Sequence, residues 1–273
     1  MAGENGILRK WLRLGAGGWR LDVADELPDK FLDSLRNAVK AEKSDAYILG
    51  EVWEDASNKT SYDKRREFLL GSELDSVMNY PFRDAIIGVV TGIISTEEFA
   101  QRILTITENY PKEVVDCLMN SLSTHDTERA LTIIAGEPLN GRDRHWQAHQ
   151  KLNPEQRKRG LDLLKLAVAM QYTLPGFPCV YYGDEAGVEG YHDPFCRLPY
   201  PWGREDNDLL AHFTLLGQLR HAHTVFSDGD FRILAHTPSA LLYSRRNDTE
   251  EVVVAVNGGD SEAALPLPDA DRY

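Results

Sequence analysis

Three acidic residues lie where short apolar segments of the sequence end: Asp22, Glu51 and Asp126. Carboxylates serve as nucleophiles, as general acids and bases, and as acceptors for the hydroxyl groups of a ligand. Arg20 precedes Asp22 by two residues, so we expect both side chains to point to the same face of a strand and the guanidinium to favour an ionised carboxylate. An ionised carboxylate suits a nucleophile, and a structural salt bridge is the alternative for this short string.

The spacing between Asp22 and Glu51 fits one unit of strand, helix and strand. Glu51 comes 29 residues after Asp22, and adjacent parallel strands lie about 4.8 Å apart. This distance suits the two carboxyl groups of a retaining glycosidase, which are roughly 5 to 5.5 Å apart. The apolar neighbours Val52 and Trp53 favour a neutral carboxyl at Glu51, so we expect Glu51 to be the proton donor.

His125 and Asp126 add a neutral donor and a third carboxylate at the end of a later strand. We expect this pair to hold sugar hydroxyls and to strengthen those contacts in the transition state. The alternative is structural, because His-Asp pairs also cap helices and close loops. The order of three strand-end carboxylates along the chain favours the chemical interpretation.

The elements that must position these residues alternate between short apolar segments and longer amphipathic ones from residue 4 to about residue 200. This alternation is typical of βα units with parallel strands. Helices are predicted over 6–12, 29–42, 96–109, 154–172 and 208–223. Strands are predicted after Gly18, where the strand carries Asp22, and at 47–51, 74–79, 117–123 and 178–182. Beyond residue 223, short alternating segments indicate a small antiparallel β region, with strands at 231–234, 241–245 and 252–257.

The composition argues against several classes of partner. The 43 acidic and 30 basic residues give a formal net charge of −13, which disfavours a nucleic acid or an anionic membrane surface as a partner. No apolar segment approaches the roughly 20 residues of a membrane span, and the first residues lack the pattern of a secretory signal, so a cytoplasmic location is predicted. The odd number and wide spacing of the cysteines predict reduced, structural thiols at Cys117, Cys179 and Cys196.

An ordered set of short motifs closely resembles three sequence regions of the α-amylase superfamily, glycoside hydrolase family 13: Gly18–Asp22, Gly50–Trp53 and Ser123–Asp126. The resemblance extends over nearly the whole chain and includes residues 181–185 and 193–202. Five motifs in this order, rather than one short string, carry the resemblance.

The resemblance implies a role for each strand-end residue. Asp22 is the nucleophile, Glu51 the general acid/base and Asp126 the stabiliser of the transition state. Arg20 orients Asp22, and His125 binds the sugar on the donor side. These implied roles agree with the chemistry expected from the strand ends alone.

Residues Val23–Glu26 are similar to those that follow the nucleophile in the neopullulanase and cyclomaltodextrinase group. This similarity implies acceptor-side contacts for Glu26 and for Trp53, whose ring offers a flat apolar face to a sugar. Ordinary loop packing is the alternative for Trp53. Asp193 and Arg197 resemble the pair that grips a donor-side glucose, and a surface salt bridge is the alternative for that pair.

A complete barrel of this family has eight strands and carries an Asp-x-x-x-Asn-His region after the third, and no such motif precedes residue 17 here. The resemblance therefore implies an α/β fold with a partial (β/α)8 TIM barrel, about strands 4 to 8 with their helices, followed by a partial antiparallel C-terminal β domain. The predicted domains are 1–223, the carboxyl-terminal part of the catalytic barrel, and 224–273, an incomplete β-sandwich. We expect an amino-terminally truncated chain that is inactive or poorly folded alone, because an open parallel sheet leaves backbone groups at its edges exposed.

The resemblance implies a retaining α-glucan hydrolase that cleaves α-1,4 and, as a further option, α-1,6 glucosidic bonds by double displacement. Expected substrates are α-glucans, maltooligosaccharides or cyclodextrins. The alternatives are a transglycosidase or isomerase of the sucrose or trehalose type in the same superfamily, and a non-catalytic amylase-like binding or ancillary protein. No nucleotide or redox cofactor is predicted, since the sequence lacks a glycine-rich phosphate loop. Calcium is a candidate by resemblance with no ligand assigned, and the oligomeric state is left open.

Overall fold

The computed structural model of the protein describes residues 1–268. The chain divides into two units that alternate along the sequence: Met1–Pro81 with Leu104–Met119, and Phe82–Ile103 with the residues from Asn120 onward. The predicted boundary between residues 223 and 224 stays a prediction, and residues 269–273 of the predicted second domain lie outside the described residues.

Helices and strands follow one another through most of the described chain. The helices are α1 (Ile7–Arg13), α2 (Asp29–Glu42), α3 (Tyr80–Val90), α4 (Thr96–Asn109), α5 (Lys112–Asp116), α6 (Ala130–Ala135), α7 (Arg144–His149), α8 (Pro154–Thr173), α9 (Asn207–Ala222) and α10 (Val225–Asp228). The strands are β1 (Gly18–Leu21), β2 (Tyr47–Gly50), β3 (Thr60–Ser61), β4 (Lys64–Arg65), β5 (Ser76–Val77), β6 (Met119–Asn120), β7 (Phe177–Pro178), β8 (Asp230–His236), β9 (Ala240–Arg246) and β10 (Glu251–Asn257). The predicted α/β class and the antiparallel strands near the carboxyl terminus are confirmed.

A parallel three-stranded sheet in the order β1-β2-β5 belongs to the first unit. Leu21 pairs with Gly50, so the carboxyl ends of β1 and β2 lie side by side. Gly18 permits this pairing, because a Cβ atom there would lie 2.0 Å from the carbonyl oxygen of Tyr47. Residues 22 and 51 therefore follow their strands at the same edge of the sheet, which is the edge that carries the chemistry in parallel α/β folds.

The amphipathic pattern of residues 29–42 predicts α2 with its observed bounds. Pro28 stands directly before the first helical residue, where its missing N–H is no loss. Leu32, Leu35 and Val39 are fully buried, and α2 packs against α1. Burial of one apolar face, rather than helix propensity alone, stabilises a helix of this length.

The second unit contains a long helix and an antiparallel sheet. Asn153 caps α8 through a reciprocal pair of hydrogen bonds with Gln156, and α8 packs against α6 and α9. The sheet has the order β10-β9-β8. Arg245 of β9 is fully buried and donates hydrogen bonds to the carbonyl oxygens of Gly229 and Thr173, which attaches the sheet to the end of α8.

Several elements differ from the sequence-based expectations. The strand expected at 178–182 is only Phe177–Pro178, and the residues after it form turns. The helix α3 was not predicted, because apolar residues occur on most of its sides and leave no amphipathic period.

Among the described helices, none is long and apolar enough to cross a membrane.

Candidate active site

Asp22 and Glu51 follow β1 and β2, and backbone hydrogen bonds continue the pairing beyond both strand ends. The N–H of Glu51 donates to the carbonyl of Leu21 at 3.0 Å, and the N–H of Ala24 donates to the carbonyl of Glu51 at 3.0 Å. The two acids differ in exposure: Glu51 is 3% exposed, whereas the side chain of Asp22 is 75% exposed. The structure thus brings one buried and one accessible carboxyl group to the same sheet edge.

Arg20 contacts both of these carboxylates. Its Nη1 donates to Asp22, and its Nη2 lies 3.0 Å from Oε2 of Glu51. The sequence predicted the contact with Asp22 and apolar surroundings for Glu51. The structure adds the guanidinium to the surroundings of Glu51, because the side chain of Arg20 is long enough to reach from one strand end to the next.

Val23 supplies a further contact to Glu51 through its backbone. The N–H of Val23 donates to Oε2 of Glu51 at 2.8 Å. Val23 has a φ angle of 42°, and this left-handed conformation costs a β-branched residue about 1–3 kcal/mol. Such a conformation persists only where the surroundings enforce it, and here it directs an amide toward a candidate catalytic carboxyl.

Glu26 and Trp53 lie in the loops that follow β1 and β2. Glu26 accepts a hydrogen bond from the hydroxyl group of Tyr62. One face of Trp53 stacks on Tyr80, with ring centroids 4.2 Å apart and planes 8° apart, while the residue stays exposed. Loop packing therefore accounts for one face of the Trp53 ring.

A second group of predicted site residues lies in the second unit. His125 Nε2 lies 2.9 Å from Asp126 Oδ2. Arg197 contacts two carboxylates, with Nη2 3.4 Å from Asp126 and Nε 2.7 Å from Asp193. The structure brings all four residues together within this unit: His125, Asp126, Asp193 and Arg197.

Arg129 anchors the backbone around this second group. It is fully buried and donates to the carbonyl oxygens of Cys196 and Tyr182. Its Nη1 also lies 3.1 Å from Oδ1 of Asp184. Asp184 is itself buried, and this burial raises the pKa of its carboxyl group to about 6. The carbonyl of His125 accepts hydrogen bonds from the thiol of Cys196 at 3.3 Å and from Nε of Arg197 at 3.1 Å, so the backbone of His125 is held next to the segment that Arg129 anchors.

The described residues contain no group of three or more His, Cys, Asp and Glu side chains that could hold a metal ion. No residue is therefore assigned to calcium.

The sequence pattern of a protein family described as "Alpha amylase, catalytic domain" matches residues 3–225. The chain belongs to the α-amylase family. The resemblance inferred from the ordered motifs is thereby confirmed. The roles assigned to individual residues stay predictions.

Relatives within the α-amylase family include cyclomaltodextrinase of Geobacillus thermopakistaniensis, which is 35% identical over 264 residues and covers 94% of this chain. Neopullulanase 2 of Thermoactinomyces vulgaris is 34% identical over 265 residues and covers 95% of this chain. The chain spans 40% of the length of each of these two relatives. A debranching enzyme from Nostoc punctiforme has a similar structure, with a TM-score of 0.79, 29% identity and coverage of 94% of this chain and 50% of that chain.

Three contacts of the candidate site were missed in the sequence: the N–H of Val23 with Glu51, the Tyr80 ring behind Trp53, and Tyr62 beside Glu26. The first depends on a backbone conformation that a valine rarely adopts. Tyr62 lies in a hairpin whose two-residue strands are too short to show alternation. Its only sequence signal is a cluster of polar residues after Glu51.

Proposed function

We propose that this chain carries the reacting carboxylates of a retaining α-glucan hydrolase of the cyclomaltodextrinase and neopullulanase type. The observation that carries the proposal is the contact of Arg20 with both Asp22 and Glu51 at the ends of paired parallel strands. The names of the relatives support an α-glucan as substrate. We propose cleavage of α-1,4 bonds and, as a further option, of α-1,6 bonds.

In the proposed mechanism, the accessible carboxylate of Asp22 attacks the anomeric carbon of the donor sugar. Buried Glu51 gives its proton to the glycosidic oxygen as that bond breaks, which leaves a glycosyl group on Asp22. Water then attacks the same carbon while Glu51 accepts its proton, and the Asp22 carboxylate leaves. Because the anomeric carbon is inverted twice, the product keeps the configuration of the substrate.

The other predicted residues bind the sugar in this proposal. Asp126 stabilises the positive charge that develops on the sugar ring, and His125 donates to a hydroxyl group. Asp193 and Arg197 bind a donor-side glucose. A surface salt bridge is the alternative for this pair, because Nε of Arg197 lies 2.7 Å from Oδ1 of Asp193. Glu26 and Trp53 contact the sugar on the acceptor side.

The test is the configuration of the first product, measured by proton NMR during hydrolysis of a maltooligosaccharide or a cyclodextrin. The complete product of the gene that encodes this chain is used, because the relatives are longer. Release of the α-anomer before it equilibrates is expected, and initial release of the β-anomer would contradict the mechanism. The prediction that the 273-residue chain alone is inactive is checked by the same assay on that chain.

A further inference from the structure

The chain forms a small hairpin shortly after Glu51. Strands β3 and β4 pair through Thr60 with Arg65 and Ser61 with Lys64. The two turn residues, Tyr62 and Asp63, have φ angles of 53° and 58°. Two successive left-handed residues form the tight two-residue turn whose twist fits that of the paired strands. The turn therefore fixes the position of Tyr62 at the tip of the hairpin.

The hairpin is attached to the loop that follows Asp22. Ser61 Oγ donates to the carbonyl of Asp25 at 2.9 Å, and Lys59 Nζ lies 3.1 Å from the Asp25 carboxylate. The buried guanidinium of Arg66 donates to the carbonyl oxygens of Asp25 and Leu27 at 2.7 and 2.6 Å. Several independent contacts therefore fix the hairpin against the loop of the proposed nucleophile.

Tyr62 is 75% exposed, yet its hydroxyl group is held by Glu26. The carboxylate of Glu26 raises the pKa of the Tyr62 phenol, so the phenol stays protonated and is the donor. The ring is thus restrained at one end while much of its surface is open to solvent. A restrained aromatic ring loses little conformational entropy when a ligand packs on it.

A cavity of about 370 Å³ lies beside Tyr62 and Glu26, a volume within the range of small-molecule sites. Its charged residues nearly balance, with three basic residues, Lys30, Lys64 and Arg66, against the acidic Glu26 and Asp29, and Asp29 is paired with Lys64 and with Arg66. A cavity with so little net charge beside an open aromatic ring suits a neutral ligand with many hydroxyl groups rather than a multiply charged ion. A sugar has this chemistry.

We propose that Tyr62 binds the acceptor sugar, with its ring packed on the sugar face and Glu26 accepting hydrogen bonds from the sugar hydroxyls. The hairpin then favours transfer of the glycosyl group to a sugar over transfer to water. This inference rests on the proposed function, because it requires a glycosyl group on Asp22.

The transfer step differs from hydrolysis only in the attacking molecule. A hydroxyl oxygen of the acceptor sugar bonds to the anomeric carbon, the bond from that carbon to Asp22 breaks, and its electron pair returns to the carboxylate. Glu51 takes the hydroxyl proton. Both products arise from the same glycosyl intermediate, so their ratio does not depend on how fast the donor reacts.

The experiment measures this ratio with α-maltosyl fluoride as donor and maltose as acceptor, on the complete gene product. Tyr62→Ala is expected to lower the ratio of tetrasaccharide to hydrolysed donor by about tenfold, the scale of one lost aromatic contact. The hydrolysed donor is the released fluoride minus the tetrasaccharide formed, because released maltose is identical to the added acceptor. Tyr62→Phe keeps the ring and loses only the hydroxyl, so a smaller decrease is expected. Asp63→Asn is the matched control in the same turn, because asparagine tolerates a left-handed conformation.

An unchanged ratio in Tyr62→Ala overturns the inference, as does an equal decrease in Asp63→Asn, which would indicate a general effect of the turn. Absence of turnover by the unsubstituted protein counts against the proposed function and, with it, against the transfer step. A binding measurement then decides whether Tyr62 binds a sugar. In protein labelled with fluorotyrosine, the fluorine resonance of Tyr62 is assigned by its loss in Tyr62→Phe. A shift of this resonance on titration with maltose supports the inference, and no shift up to the solubility limit overturns it.

Discussion

Arg20 in the first unit and Arg197 in the second each contact two carboxylates, but the two groups differ in burial. Arg20 lies between Asp22, which is accessible, and Glu51, which is buried. Arg197 lies between Asp126 and Asp193, whose side chains are 35% and 54% exposed. Exposed ion pairs of the second kind stabilise a fold by only about 0–1 kcal/mol, so the second group owes its geometry to the backbone that carries it.

The difference in burial agrees with the difference in proposed chemistry. Two carboxylates with unequal exposure can take unequal roles, one as a proton donor and one as a nucleophile. Two accessible carboxylates with a shared arginine can instead present hydrogen-bonding groups to a sugar. Strand pairing fixes the first group, whereas the buried Arg129 fixes the backbone of the second through the carbonyl of Cys196.

Asp22→Asn is expected to have the largest effect, because it removes the attacking carboxylate and keeps the shape of the side chain. The kcat for maltooligosaccharide hydrolysis by the complete gene product should fall by about 10⁴-fold or more. Asp45→Asn is the control, since Asp45 is exposed before the other end of β2, and it should leave kcat unchanged. A kcat of Asp22→Asn within about tenfold of the unsubstituted protein would refute the assignment of the nucleophile.

Replacement of each bridging arginine by lysine tests the comparison directly. A single ammonium group cannot contact two carboxylates with the geometry of a guanidinium. Arg20→Lys should lower kcat by about 10²-fold, since it disturbs both reacting groups, whereas Arg197→Lys should mainly raise KM, by about tenfold.

The control for the lysine variants is Arg102→Lys, which alters an exposed pair with Glu98 on α4 and should change neither constant. If both site variants altered kcat and KM to the same extent, the distinction between a reacting group and a binding group would be lost.

Much of the secondary structure could be predicted from hydrophobic periodicity. The observed bounds of α2 and α4 match the predicted ones, because both helices bury one apolar face. The positions of Asp22 and Glu51 after strands also followed from the sequence, since each comes directly after a short apolar segment. These predictions needed only local patterns.

The contacts within the site could not be predicted in the same way. The reach of Arg20 to Glu51 depends on the pairing of two strands, and the amide of Val23 points to Glu51 because of an unusual φ angle. The contact of Tyr62 with Glu26 joins residues 36 positions apart. Each of these features arises from tertiary structure, and no local propensity indicates it.

A second buried carboxyl of the first unit sharpens the comparison by lacking such contacts. Glu73 is 3% exposed, like Glu51, but its Oε2 has no hydrogen-bond partner among the described residues. Burial raises the pKa of Glu73 to about 7, with a further contribution from Asp29 and an opposing one from Arg66. The folded protein therefore binds this proton more tightly than the unfolded chain does.

Because the pKa of Glu73 is raised in the folded state, its contribution to the free energy of unfolding is greatest below its ordinary pKa of 4.5 and is lost as the pH rises to about 7. Glu73→Gln keeps a neutral side chain at every pH, so the variant should unfold at a temperature roughly 5 to 10 °C higher than the unsubstituted protein at pH 8 and at nearly the same temperature near pH 4.5. Thermal unfolding followed by circular dichroism at both pH values measures this difference. Glu67→Gln changes an exposed position in the same loop and is the control, for which no such pH dependence is expected. If Glu73→Gln changed the unfolding temperature equally at both pH values, ionisation of Glu73 would not be the cause of the change.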